Sequence, residues 1–241
     1  MKKRLGIIGG MGPKATAIFF NNIVDKTDAQ TDNEHIEIAI LNNTKIPDRT
    51  EAILNNNHGQ ILQELLRSIR ELESLGVHHI AVPCNTSCYF LDKLQMQTQI
   101  PLINIVRETV MHIAKLANGK NVKVGVMATD GVIRTELYKK ELEKNNFTYV
   151  ATTPHVQKLI MNLIYNQIKK TGKGNIADLE YILESLSQAG CDYIILGCTE
   201  LSYFPACYDL PNNVVDALEI LTKVSIEMSG YKYLQSPRKL I

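Results

Sequence analysis

Leu72-Glu73-Ser74-Leu75-Gly76-Val77-His78-His79-Ile80-Ala81-Val82-Pro83-Cys84-Asn85-Thr86 and Leu186-Ser187-Gln188-Ala189-Gly190-Cys191-Asp192-Tyr193-Ile194-Ile195-Leu196-Gly197-Cys198-Thr199-Glu200 share one plan. Each closes a helical pattern on a glycine, passes through an apolar strand and reaches a cysteine eight residues after that glycine. A second echo accompanies the first, because residues 6–12, a strand and a turn, are matched by residues 124–131. Two similar lobes are the simplest source of such self-similarity.

Working outward, β-rich runs at 5–8, 36–41, 79–82, 102–105, 122–127, 148–152, 193–196 and 214–215 alternate with helical patterns at 15–27, 59–75, 135–143, 156–170 and 177–189. The 59–75 stretch shows the 3.6 period well, with Ile61, Leu62, Leu65, Leu66, Ile69 and Leu72 on one side. Strand–helix alternation predicts parallel sheets covered by helices on both faces. The expected fold is α/β: two pseudo-symmetric, doubly wound lobes with the functional cleft between them. The turn-forming Ala117-Asn118-Gly119-Lys120 marks the join. One lobe is expected to span 1–117 plus 216–241, the chain returning to it at its end, and the other 118–215.

Composition narrows the function. A hydrophobic fraction of 45% and a charged fraction of 21% belong to an ordinary soluble protein with a sizeable core. The net charge is +1, and basic residues cluster only at Lys2-Lys3-Arg4 and Arg238-Lys239, so no nucleic-acid partner is expected. No apolar run approaches the ~20 residues needed to span a bilayer, nor does either end carry a signal segment. A cytoplasmic location without membrane association follows as the expectation. Five cysteines, an odd number, argue for free thiols rather than a disulfide framework. Cys84 and Cys88 lack a second Cys/His pair at zinc spacing, and His35, His78, His79 and His155 show no ligand spacing, so no metal is expected.

In open α/β sheets, ligands lie beyond the carboxyl ends of the strands. Both echoed cysteines fall there, so two lobes face to face would present Cys84 and Cys198 across one cleft. Most free cysteines are small buried hydrophobes; two at matching points of a repeat point instead to chemistry. Opposed thiols suit a reaction that takes a proton from one face of a carbon and returns one to the other. A weakly acidic C–H demands donors aimed at the developing charge. Asn85, Thr86 and Thr199 could supply them, or could simply cap helices.

The N-terminal Gly10-Met11-Gly12-Pro13-Lys14-Ala15 fits G-x-G-x-x-A after a strand, a dinucleotide fingerprint. The carboxylate that would hold a ribose is missing, since the second strand ends Leu41-Asn42-Asn43. The loop is better read as a backbone-rich pocket wall, with Pro13 opening the next helix. Arg49, in Ile46-Pro47-Asp48-Arg49-Thr50, is a solvated rim charge or a fork for a substrate carboxylate. Lys169 reads by spacing as a surface lysine near a helix C-terminus.

Together Gly9-Gly10-Met11-Gly12-Pro13, Ile46-Pro47-Asp48-Arg49-Thr50, Pro83-Cys84-Asn85-Thr86, Ala128-Thr129-Asp130-Gly131 and Gly197-Cys198-Thr199-Glu200 resemble the aspartate/glutamate racemase family, in its aspartate racemase branch. The resemblance covers nearly the whole chain. It implies an isomerase needing no pyridoxal phosphate or other cofactor, an amino-acid substrate and a homodimer, with Cys84 and Cys198 as the catalytic pair. It also implies that Met11, Asn85, Thr86, Thr199 and Glu200 surround the substrate's amino and α-carboxylate groups, and that Arg49 and Lys169 hold a side-chain carboxylate. Thr129 is a further contact by the same resemblance, although Val132 stands where many relatives have threonine. Keeping both cysteines implies action on both enantiomers. Broad-specificity racemases, one-thiol decarboxylases or isomerases, a dicarboxylate-binding sensor and a nucleotide-binding oxidoreductase are the alternatives.

Overall fold

Two four-stranded parallel sheets organise the computed structural model, which describes residues 2–235. The basic pair Arg238-Lys239 and the rest of 236–241, assigned above to the first lobe, lie outside the described residues. The first sheet contains β1 (Leu5–Gly9), β2 (Ile38–Asn42), β3 (His79–Ala81) and β4 (Leu102–Ile103), in the order β2-β1-β3-β4. The second contains β5 (Lys123–Met127), β6 (Thr148–Val150), β7 (Tyr193–Leu196) and β8 (Val214–Asp216), in the order β6-β5-β7-β8. The strand orders are equivalent, as the echo requires. Every residue of β1 is buried, as befits a central parallel strand covered on both faces.

Eleven α-helices surround these sheets among the described residues: α1 (Pro13–Lys26), α2 (Arg49–Leu54), α3 (Gly59–Ser74), α4 (Cys88–Gln95), α5 (Ile105–Ala117), α6 (Asp130–Thr135), α7 (Leu137–Lys144), α8 (Pro154–Met161), α9 (Ile176–Gln188), α10 (Tyr203–Cys207) and α11 (Ala217–Met228). Gly76 after α3 and Gly190 after α9 both adopt positive φ, so the matched passages turn alike into β3 and β7. Of the apolar stripe on α3, Ile61, Leu65, Ile69 and Leu72 are buried, whereas Leu62 and Leu66 are half-buried at its margin. The larger apolar cluster joins the sheets, since Leu5, Ile7, Val110, Val124, Tyr138 and Leu142 belong to it together. Helix α11 packs against α1 and α5.

The strands expected at 36–41 and 148–152 shift to Ile38–Asn42 and Thr148–Val150, and three further departures have a local reason. The fourth strand ends at Ile103 instead of 105, because the Asn104 side chain accepts from the N–H groups of Val106 and Arg107, at 3.1 Å each, and starts α5. The helix expected at 135–143 starts at Leu137, because Glu136 adopts φ 55° and separates it from the short α6 that ends at Thr135. The helix expected at 156–170 begins as α8 and widens into a π-helical segment, Asn162–Lys169. Such widening inside a helix often marks a functional site.

Gly10 ties the first strand to its neighbour. Its φ is 94°, and a Cβ there would sit 2.5 Å from the backbone of Asn43. Left-handed backbone costs a side-chain-bearing residue about 1–2 kcal/mol before any clash, so Gly10→Ala is expected to lower Tm by at least about 2–8 °C in a chain of this length. Gly59→Ala, at the start of α3 with nothing within 4 Å of the added carbon, should leave Tm unchanged or slightly raised. Thermal unfolding of the two variants checks the contrast; equal Tm values would contradict it.

Candidate active site

Cys84 lies three residues beyond β3 and Cys198 two beyond β7, and both sulfur-bearing side chains line one narrow cavity. Met11, Arg49, Asn85, Thr86, Thr129, Lys169, Thr199 and Glu200 line it too, so the structure gathers all ten residues singled out from the sequence. The free space among them is only about 10 Å³, room for one water. It adjoins an outer chamber of about 620 Å³ whose walls include Gly12, Pro13, Ile18, Ile46 and Tyr203. An amino acid reaching both thiols must therefore part the inner walls.

The two thiols differ in their surroundings. The Cys198 thiol donates to Glu200 Oε2 at 3.0 Å. Burial and then that carboxylate push its pKa well above the ordinary thiol value, with Lys169 acting in the opposite sense. Cys84 has a cation for a neighbour. Burial works against the Arg49 charge, but Cys84, followed by Asp48 and Glu200, outweighs it and raises the guanidinium pKa. Cys88, by contrast, is a buried structural thiol pushed up to about 12 by burial.

Arg49 is not the solvated rim charge its spacing allowed. It opens α2, is 8% exposed, and donates from Nη2 to the Met11 carbonyl at 2.7 Å and from Nη1 to the Pro47 carbonyl at 3.0 Å. Its Nε is buried without a partner. Lys169 keeps an exposed position, as its spacing suggested, but its side chain is only 24% exposed and reaches the site. Its Nζ lies 3.6 Å from Asp48 Oδ2 and 4.1 Å from the centre of the Tyr165 ring. Burial lowers the Lys169 pKa, but Glu200, Cys198, Tyr165 and Asp48 outweigh it, so the ammonium is held charged.

Asp48 and Tyr165 were not singled out from the sequence. The Tyr165 hydroxyl donates to the Asp48 carboxylate at 3.1 and 3.2 Å, and Asp48 Oδ1 accepts from the Glu51 N–H at 3.0 Å. Burial would raise the Asp48 pKa, yet the Glu51 N–H, Lys169, Arg49 and Tyr165 together bring it below its ordinary value. The π-helical segment presents Tyr165 and Lys169 to the same carboxylate. A helical sequence pattern contains no sign of that widening.

The hydroxyls considered as helix caps do not cap. Thr86 Oγ1 and Thr129 Oγ1 share a hydrogen bond of 3.1 Å, and Thr199 donates to the Pro83 carbonyl at 3.2 Å. Neither α4 nor the 3-10 turn Thr199–Ser202 has a side-chain cap. Glycine loop 9–12 faces the outer chamber, and a Cβ on Gly12 would stand 3.2 Å from Glu200 Oε1, so the loop closes on the second lobe. Among the described residues, no group of three or more His, Cys, Asp or Glu side chains is placed to hold a metal ion. No helix among them is long and apolar enough to cross a membrane.

Two strand-end cysteines in one cavity between the two sheets are an arrangement suited to moving protons on opposite sides of a bound carbon. The family model for Asp/Glu/Hydantoin racemase matches residues 8–224, and the chain belongs to that family. The broad specificity amino-acid racemase RacX of Bacillus subtilis is 29% identical over 241 residues, covering 96% of this chain and all of that one. The aspartate racemase of Picrophilus torridus is 27% identical, covers 96% of each chain and superposes with a TM-score of 0.76. The fold also matches glutamate racemase from Francisella tularensis in complex with D-glutamate, at a TM-score of 0.63 and 18% identity, over 94% of this chain and 81% of that one.

The electrostatics of Cys198 can be tested chemically. Glu200→Gln removes the negative charge that raises its pKa, so the pKa falls and the thiolate fraction at neutral pH grows. Below the thiol pKa, that fraction rises roughly tenfold for each unit of the fall. Peptide-resolved iodoacetamide labelling at pH 7–8 should therefore show faster modification of Cys198 in the variant, with the exposed Cys207 unchanged. Equal or slower labelling of Cys198 would contradict the assignment.

Proposed function

We propose that this protein interconverts L- and D-aspartate without a cofactor, Cys84 and Cys198 exchanging protons with opposite faces of Cα. The observation that carries this reading is that two matched strand-end thiols line one cavity, one beside a guanidinium and the other hydrogen-bonded to a carboxylate. A thiol next to a cation is suited to act as thiolate base. A thiol held protonated by an adjacent anion is suited to donate. In the reverse direction the roles exchange.

Two cations at the site support an acidic side chain on the substrate. A substrate carboxylate entering a partly dry cavity loses hydration and needs opposite charge. Arg49 has a spare buried Nε, and Lys169 is held charged at the same end. The Picrophilus torridus relative, an aspartate racemase, supports this assignment. Asp48 favours a second reading, broad amino-acid specificity, because it already pairs with Lys169 and partly neutralises that end. The full-length match to RacX points the same way. A homodimer is part of the proposal and is read by light scattering of the purified protein.

Cys84→Ser and Cys198→Ser should each fold normally and lose about 10²-fold or more of the racemisation rate, followed by chiral chromatography of aspartate. Near-normal turnover by either variant would end the two-thiol mechanism. Cys88→Ser, Cys191→Ser and Cys207→Ser should remain largely active.

Specificity is tested by Arg49→Ala. Loss of a charge-assisted hydrogen bond costs about 1.5–3 kcal/mol, or roughly ten- to a hundredfold in kcat/KM for aspartate. Alanine, lacking the distal carboxylate, should suffer far less, and Lys169→Ala should give a smaller loss of the same kind. If both variants keep the wild-type aspartate-to-alanine preference, broad specificity is the better reading.

A further inference from the structure

We propose that Tyr138 is a positioning residue, whose hydroxyl fixes the Asn85 amide so that its NH2 serves the substrate in the interlobe cavity. Tyr138 belongs to α7 in the second half of the chain and is 1% exposed. Its hydroxyl donates to Asn85 Oδ1 at 2.6 Å. Asn85 follows Cys84, lines the cavity and is itself 2% exposed.

An amide is planar, with its oxygen and nitrogen on opposite edges. Anchoring the oxygen to Tyr138 therefore fixes where the nitrogen points. Asn85 Nδ2 is buried and has no hydrogen-bond partner. Buried donors are almost always satisfied, and an exception calls for an explanation. A substrate carboxylate in the cavity supplies one, since an anion takes up two-proton donors of this kind readily. Tyr138 thus holds an otherwise costly donor ready for use.

The tyrosine ring also touches the other thiol's turn. A Cβ at Gly197, one residue before Cys198, would stand 3.0 Å from Tyr138 Cε2. One side chain therefore packs on the turn carrying Cys198 and bonds to the residue following Cys84. No motif in the sequence marks it, because Tyr138 stands in the polar-looking Leu137–Lys144 stretch, 53 residues from Asn85.

The proposal rests on the amino-acid racemase reading and is tested by a double-mutant cycle. Tyr138→Phe keeps the ring on Gly197 and removes only the hydroxyl. It should lower kcat/KM roughly tenfold or more. Asn85→Ala should cost at least as much, and the double variant should be no worse than Asn85→Ala alone. Additive losses, or normal kinetics of Tyr138→Phe, would overturn the proposal. Asn85→Asp covers the case in which Tyr138→Phe does not fold: it keeps an acceptor for Tyr138 and removes the NH2. Loss matching Asn85→Ala supports the role, and retained activity refutes it. If the wild-type enzyme racemises no amino acid, the functional reading fails by itself. The crystal structure of Tyr138→Phe then decides the positioning role, because an Asn85 amide turned from its present orientation supports it and an unchanged amide does not.

Discussion

The hydroxyl of Thr199 donates to the carbonyl of Pro83, 3.2 Å away and 116 residues distant in the chain. That bond ties the residue after one cleft cysteine to the residue before the other. For the two cysteines to act on one substrate, as proposed, their strand ends must be held at a fixed separation. A single neutral hydrogen bond contributes only about 1 kcal/mol, but this one has company. Thr86 with Thr129, Tyr138 with Asn85, and Tyr165 with Asp48 all cross between the halves of the chain around the same cavity. Close approach also requires small residues. A Cβ on Gly131 would come within 2.9 Å of the Thr50 Cα, so that glycine lets α6 lie against α2.

The halves repeat each other in backbone but not in charge. After the first cysteine come Asn85 and Thr86; after the second come Thr199 and Glu200. The second position thus carries a hydroxyl in one copy and a carboxylate in the other. Glu200 accepts the Cys198 thiol hydrogen, while Arg49, from outside the repeat, stands beside Cys84. A symmetric frame with this substitution gives two chemically distinct thiols. Such a difference is what a proposed acid–base pair needs at the start of a turnover, when one member must hold a proton and the other must lack one.

Most of the fold was legible because parallel strands and their helices leave local signatures: apolar runs, glycine stops and a repeat of both. The cavity lining was legible too, since strand ends in an α/β sheet collect binding residues and the motifs sit there. What escaped was decided by competition or by distance. Asn104 reads as strand until its side chain is seen capping α5. Glu136 carries no turn signal yet adopts a left-handed backbone and delays the start of α7. Lys169 reads as a surface charge because its partners Asp48 and Glu200 come from distant parts of the chain, and only their approach brings its ammonium to the site. Asp48, Tyr165 and Tyr138 act across the two halves, and no periodicity records a contact between elements so far apart in the chain.

The most direct test of two thiols acting on opposite faces is solvent isotope incorporation at early times. L-aspartate is incubated with the enzyme in D2O, and both enantiomers are recovered before the reaction has advanced far. If one thiol removes the proton and the other delivers a solvent-derived one, the D-aspartate formed carries deuterium at Cα while the remaining L-aspartate stays protiated. D-aspartate that retains the original hydrogen, or deuterium appearing equally in both enantiomers from the outset, would contradict two opposed acid–base groups.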